Sequence, residues 1–166
     1  MSLTTLGLEL PTDPRWANIA EMQLEEIIVD HAYCEQKAAS ACISMIVHFP
    51  EKEKLVEVMT PVVAEEWAHF RMVLKELHKR GYKLGRARKD DYVNRLQEII
   101  KKKGDREEVF LDRLLVCALI EARSCERFKL LSQHIADESL RRFYHELMIS
   151  EAGHYRNFIE LAEEYL

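Results

Sequence analysis

Two short motifs carry side chains able to bind a metal: Glu66-Trp67-Ala68-His69 and, far downstream, Glu151-Ala152-Gly153-His154. On a helix, positions i and i+3 share a face, so each motif aims a carboxylate and an imidazole the same way. Oxygen and nitrogen donors in this combination suit iron, manganese or zinc. A single Glu-x-x-His is weak evidence in a glutamate-rich chain. The register around the pair is stronger. Glu35 precedes His48 by 13 residues and Glu66 by 31, while Glu121 precedes His134 by 13 and Glu151 by 30. The two halves repeat the order Glu, His, Glu-x-x-His with a slip of one residue. Glu126 is the alternative to Glu121, since Cys34-Glu35 resembles Cys125-Glu126. It lies only 25 residues before Glu151, so the spacing favours Glu121.

Helices must bring these groups to one level. Glu35 and Glu66 bracket a turn at Pro50, each about 15 residues away, which returns both to a height on the order of 20 Å from it. Glu121 and Glu151 bracket a second turn near Ala136-Asp137 in the same way. Glu35, Glu66, His69, Glu121, Glu151 and His154 then meet with up to four negative charges. An apolar interior tolerates that only with cations. Two divalent ions would neutralise it, with Glu66 and Glu151 as bridges, Glu35 and Glu121 as terminal ligands, and one histidine on each ion. Open, carboxylate-rich coordination favours two irons, and manganese satisfies the same donors. One Glu from each of two helices and Glu-x-x-His from each of the other two is the pattern of ferritin-like di-metal bundles. The expected fold is all-α, a ferritin-like four-helix bundle of two antiparallel hairpins with a long crossover containing a short helix.

Composition agrees with a helical, water-soluble domain. Of the 166 residues, 48% are hydrophobic and 32% charged, and Gly and Pro are scarce. That excludes disorder and disfavours a turn-rich sheet protein. No apolar run approaches the roughly 18 residues of a membrane span, and the first residues lack a signal-peptide pattern. A cytoplasmic protein is expected. The net charge of −5 argues against indiscriminate DNA binding but permits a local basic patch. Four cysteines without a Cys-x-x-Cys pair read as small packing residues in a reducing compartment.

Residues 1–14 read as an extended arm within a single domain spanning 1–166. A first helix is expected from Arg15 to Phe49, with Ile19, Met22, Ile27, Tyr33, Ala38, Ala41 and Met45 as apolar positions. Pro50 ends it. Thr60-Pro61 reads as a fresh helix start, and Gly81 as the stop. The stretch 79–104 is a basic crossover with a short helix over Asp90–Lys103. Asp105 and Glu108 form a start signal for the third long helix, in which Leu111, Leu114, Leu115, Ala118, Leu119 and Ala122 are expected in the core. The fourth helix runs from Glu138 to about Glu164. Trp67, Tyr33 and Tyr155 are expected to pack, and His31, His48, His78, His134 and His145 to lie at the surface or at helix ends rather than to act as ligands, with a place behind Glu35 as the alternative for His31, one turn before it.

The run Leu115-Val116-Cys117-Ala118-Leu119-Ile120-Glu121-Ala122-Arg123-Ser124-Cys125-Glu126-Arg127-Phe128 closely resembles the MiaE family of tRNA hydroxylases. His31 to Ala38, Glu65 to Phe70 and Ser150 to Tyr155 match as well, so the likeness spans nearly the whole chain. It implies a di-iron monooxygenase that uses O2 and two electrons, from an electron donor protein or reductase, to hydroxylate the isopentenyl group of 2-methylthio-isopentenyl-adenosine next to the anticodon. It implies Glu35, Glu66, His69, Glu121, Glu151 and His154 as iron ligands. His31, Arg123 and Glu126 are expected around them.

A modified base on a large anionic RNA needs cationic contacts. Arg80, Lys83, Arg86, Arg88 and Lys89, with Lys101, Lys102 and Lys103, form the one dense basic cluster, and Tyr82 within it could stack on an unpaired base. This crossover is the expected dock for the tRNA anticodon loop. Two rivals remain at this stage: an iron oxidase or peroxidase of the ferritin or rubrerythrin kind without an RNA substrate, and a metal-free helical interaction domain.

Overall fold

A computed structural model describes residues 5–100 and 104–166, and every regular element among them is helical. The helices are α1 (Trp16–Met22), α2 (Leu24–His48), α3 (Glu53–Lys79), α4 (Asp91–Ile99), α5 (Arg106–His134) and α6 (Glu138–Glu164), preceded by a 3-10 turn at Thr5–Gly7. Contacts divide the chain into two compact units, Met22–Lys89 and a second made of the segment up to Glu21 with Asp90–Leu166.

The first unit is the hairpin of α2 and α3. Along α2 the buried positions Ile28, His31, Ala32, Glu35, Ala39, Cys42 and Met45 recur at steps of three and four, as an inward helical face requires. This face lies one position away from the one expected through Ile27, and Met22 is 79% exposed. Along α3 the inward positions are Leu55, Met59, Val62, Glu66, His69, Val73 and Leu77. Full burial of each of these leucines contributes roughly 1.5–3 kcal/mol. That burial carries α3 straight through Pro61, where a fresh start was expected. The missing Pro61 N–H costs the helix a hydrogen bond, a loss of order 3 kcal/mol that packing outweighs. Thr60 does not cap a new helix. Its hydroxyl donates back to the Val56 carbonyl at 2.6 Å. At the far end the Tyr82 amide donates to the Leu77 carbonyl and the Gly81 amide to that of His78, with Gly81 at φ +76°. This is a Schellman stop, and glycine supplies the left-handed backbone it needs.

The second unit is the hairpin of α5 and α6, with α1, α4 and the N-terminal arm against it. The long first helix expected from Arg15 is broken at Gln23 (φ −121°, ψ 39°), where the chain passes from one unit to the other. Asp90 caps α4 by accepting from the Val93 amide, and Asp137 caps α6 by accepting from that of Leu140. Asp105 sits at the N-cap of α5 without a side-chain cap hydrogen bond. The inward face of α5 is Phe110, Leu114, Ala118, Glu121, Ala122 and Cys125. Leu115 and Leu119, expected in the core, are 46% and 36% exposed, because their stripe lies beside the inward one.

Candidate metal centre

In the first unit α2 supplies Glu35 and α3 supplies Glu66 and His69. All three are buried, Glu66 completely. His69 Nδ1 lies 3.5 Å from Glu35 Oε2 and 3.6 Å from Glu66 Oε2. In the second unit α5 supplies Glu121 and α6 supplies Glu151 and His154, again all buried. His154 Nδ1 lies 3.9 Å from Glu151 Oε2. Within each triplet the donor atoms all lie within 4.8 Å of one another. Two donors on one first-row ion, each about 2.1 Å from it, are separated by at most about 4.2 Å. The separations to His69 and His154 meet that test, so each Glu/Glu/His triplet fits a metal ion.

The electrostatics of the first triplet agree. Burial by itself pushes the Glu35 carboxyl up. Hydrogen bonding to His31, His69 and Glu66 and the charge of His31 outweigh this and hold it far below the usual carboxylate range. Burial likewise lowers the His69 pKa, but Glu35 and Glu66 beside it win and raise it to about 10. The carboxylates thus demand a positive charge at His69 Nδ1, the place a cation would fill. One turn before Glu35, His31 Nε2 meets Glu35 Oε1 at 2.5 Å. His31 therefore braces the carboxylate from behind, as a residue supporting a metal ligand does.

Arg123 and Glu126 have partners elsewhere. The Arg123 guanidinium donates to Glu126 Oε2 (2.6 Å), Thr12 Oγ1 (3.0 Å) and the Leu10 carbonyl (3.0 Å). Glu126 also accepts from the Thr12 amide and hydroxyl at 2.8 and 2.7 Å. Arg127 lies over the Trp16 ring. The Glu-Ala-Arg-Ser-Cys-Glu-Arg run therefore points Glu121 inward while its Arg123, Glu126 and Arg127 hold the N-terminal segment. Cys125 donates to the Met148 carbonyl, and burial pushes its thiol up to about 11, which suits a packing residue.

Of the basic crossover, Lys83, Arg86, Arg88 and Lys89 are exposed, while Arg80 and Tyr82 are half-buried. Arg80 pairs with Glu76 at 3.6 Å and Arg88 with Glu26. Lys101, Lys102 and Lys103 lie outside the described residues. Tyr33 donates to the Gly85 carbonyl at 2.7 Å, tying the crossover to α2 two residues before Glu35. Trp67 is not a core residue, being 48% exposed with its ring 5.0 Å from that of Phe70. It is the next residue after Glu66, so it projects about 100° away from the inward face. That angle was available in the sequence. Of the five histidines expected at the surface or at helix ends, His48, His78, His134 and His145 are exposed, while His31 is buried against Glu35.

The family model for MiaE, tRNA-(MS2IO6A)-hydroxylase, matches residues 3–166. The chain belongs to the MiaE family. A relative from Pseudomonas putida (strain KT2440), named tRNA 2-(methylsulfanyl)-N(6)-isopentenyladenosine(37) hydroxylase, is 39% identical over 95% of this chain and 76% of its own. One of the same name from Salmonella typhimurium (strain LT2) is 31% identical over 69% of this chain and 42% of its own. Among solved structures, "Protein 43 with aldehyde deformylating oxygenase activity" from Synechococcus superposes with a TM-score of 0.90 at 38% identity, covering 95% of this chain and 77% of that one. The MiaE-family chain is thus a ferritin-like four-helix bundle of two antiparallel hairpins, α2–α3 and α5–α6, joined by a long crossover that contains α4. Among the described residues no helix is long and apolar enough to cross a membrane.

Proposed function

We propose that this chain is an O2-dependent di-iron monooxygenase that hydroxylates the isopentenyl group of 2-methylthio-isopentenyl-adenosine next to the anticodon of cytoplasmic tRNA. The observation that carries the reading is the family match over residues 3–166. The buried carboxylate and imidazole triplets support it chemically.

Glu35, Glu66 and His69 of one hairpin and Glu121, Glu151 and His154 of the other would hold the two ions. Bound iron supplies activation of O2, with two electrons from a donor protein or reductase, and transfer of one oxygen atom to carbon. The chain's own residues prepare the site. His69 Nδ1 faces both carboxylates of its triplet, so the three side chains would present their donor atoms to one cation. His31 fixes the orientation of Glu35. Burial of all six donors keeps water away from a strongly oxidising centre.

Nucleoside mass spectrometry of tRNA from cells with and without the gene tests the reading. The hydroxylated nucleoside disappears, and its unhydroxylated precursor accumulates, in the deleted strain. An unchanged nucleoside profile refutes it. The solved relative with aldehyde deformylating oxygenase activity favours a second reading, an oxygenase acting on an aldehyde at the same metal pair. Incubating the iron-loaded protein with an aldehyde and a reductant, and assaying for the carbon-shortened product, separates the two.

A further inference from the structure

We infer that the outward face of α3, with Trp67, Arg71 and Lys75, is a contact surface for the single-stranded part of the RNA substrate. Trp67 stacks on an unpaired base, and Arg71 and Lys75 meet phosphates. The inference rests on the tRNA reading above and assigns it residues that lie outside the basic crossover.

Three observations carry it. The first is exposure: the Trp67 indole is 48% accessible, while the buried Phe70 ring supports it from 5.0 Å. An aromatic face held rigid at the surface is what stacking on a nucleobase requires, and Ala64 and Ala68 beside it are small and exposed. The second is charge at helical spacing. Trp67, Arg71 and Lys75 follow one another at i, i+4 and i+8, drifting only about 40° per step, and all three are exposed. Glu66, beside Trp67 in sequence, is buried, Glu65 and Glu76 project roughly 160–180° from Trp67 around the helix, and Glu76 lies about 100° from Lys75. In a chain of net charge −5, this stripe is a local excess of cations beside an aromatic ring. It therefore complements a polyanion with exposed bases. The third is continuity. Beyond Lys75, α3 ends at Lys79 and leads directly into the exposed Lys83, Arg86 and Lys89 of the crossover, within the same compact unit.

The geometry suits a hydroxylase whose target carbon must enter the bundle. Glu66 and His69 point inward from the same turn that sends Trp67 outward.

The test uses the full chain and a labelled anticodon stem-loop RNA, with affinity read by fluorescence anisotropy over a salt series. Trp67→Ala weakens binding about tenfold, and Trp67→Phe restores most of it. The double variant Arg71→Glu/Lys75→Glu flattens the slope of log affinity against log salt by roughly 1.4, the release expected for two single-strand phosphate contacts. In a Trp16→Phe background, RNA quenches the fluorescence that remains from Trp67. Circular dichroism melting confirms that these surface variants stay folded. If wild type binds the RNA and the variants bind with the same affinity and salt slope, the surface assignment is wrong while the tRNA reading stands. If Trp67→Ala changes only the oligomeric state on size exclusion, the face meets protein and the assignment is again wrong. If wild type binds no RNA in this assay and modifies none in cells, both fall.

Discussion

The two hairpins carry the same donors in the same order but do not support them alike. In α2–α3, Glu35 is backed by a buried imidazole one turn earlier, His31, and His69 sits between two carboxylates. In α5–α6, the position one turn before Glu121 is Cys117, and the polar groups after it, Arg123 and Glu126, reach the arm. One half braces its buried Glu35 carboxylate with His31. The other spends its polar side chains on fastening the chain's N-terminal segment. The repeat in the sequence is a repeat of candidate donors, while the residue one turn before the first of them differs, His31 in one half and Cys117 in the other.

Variants can break that comparison. The largest effect is expected at the shared ligands: Glu66→Ala or Glu151→Ala should reduce hydroxylation at least a thousandfold and drop the iron content well below two per chain. Without metal, either variant should melt at or above the wild-type temperature, because removing one of several crowded buried carboxylates relieves repulsion. Next comes removal of the ions themselves. Chelation should lower stability by about 4 kcal/mol if the free metal had stood a thousandfold above its Kd, read as a fall in melting temperature that added iron restores.

The sharper contrast lies between the supporting positions. His31→Ala should weaken metal binding by roughly 10–100-fold, as loss of an outer-shell partner does, whereas Cys117→Ala should leave it within about twofold. Equal effects in a metal titration would mean that the hairpins are functionally symmetric.

The smallest effect concerns the arm. Burial raises the Glu126 pKa, but hydrogen bonds from Thr12 and Arg123 outweigh it and set the folded value below the ordinary 4.5. A depressed carboxyl stabilises the fold above its unfolded pKa and loses that contribution as pH falls through the folded one. Amide exchange over residues 8–16 should therefore accelerate in wild type only below about pH 4.5. In Glu126→Gln it should already be fast at neutral pH.

Much of this was legible in the sequence, for physical reasons that can be named. Glycine at 81 marks a left-handed stop, the turn near Ala136-Asp137 separates the last two helices, and spacing put six donors on inward faces, whereas the caps made by Asp90 and Asp137 were found only in the structure. What escaped was set by tertiary packing. Pro61 looked like a start because local chemistry favours one, yet the buried stripe from Leu55 to Leu77 runs through it. Leu115 and Leu119 are apolar at helical spacing and still face outward, since periodicity alone does not say which of two neighbouring stripes meets the partner helix. Besides Glu126, Arg123 has partners more than a hundred residues away, at Leu10 and Thr12, a distance that no local pattern spans.

The tether between Thr12 and Glu126 bears on how the chain can be trimmed. A fragment beginning at Pro14 would keep every long helix and look complete on a helical diagram. It would nevertheless strip a carboxylate that is only 6% exposed of two of its donors, leaving Arg123 as its remaining hydrogen-bond partner from this network. Burying an ionised group with fewer donors is costly. Shortening at the front would thus be felt midway along α5, five residues from Glu121.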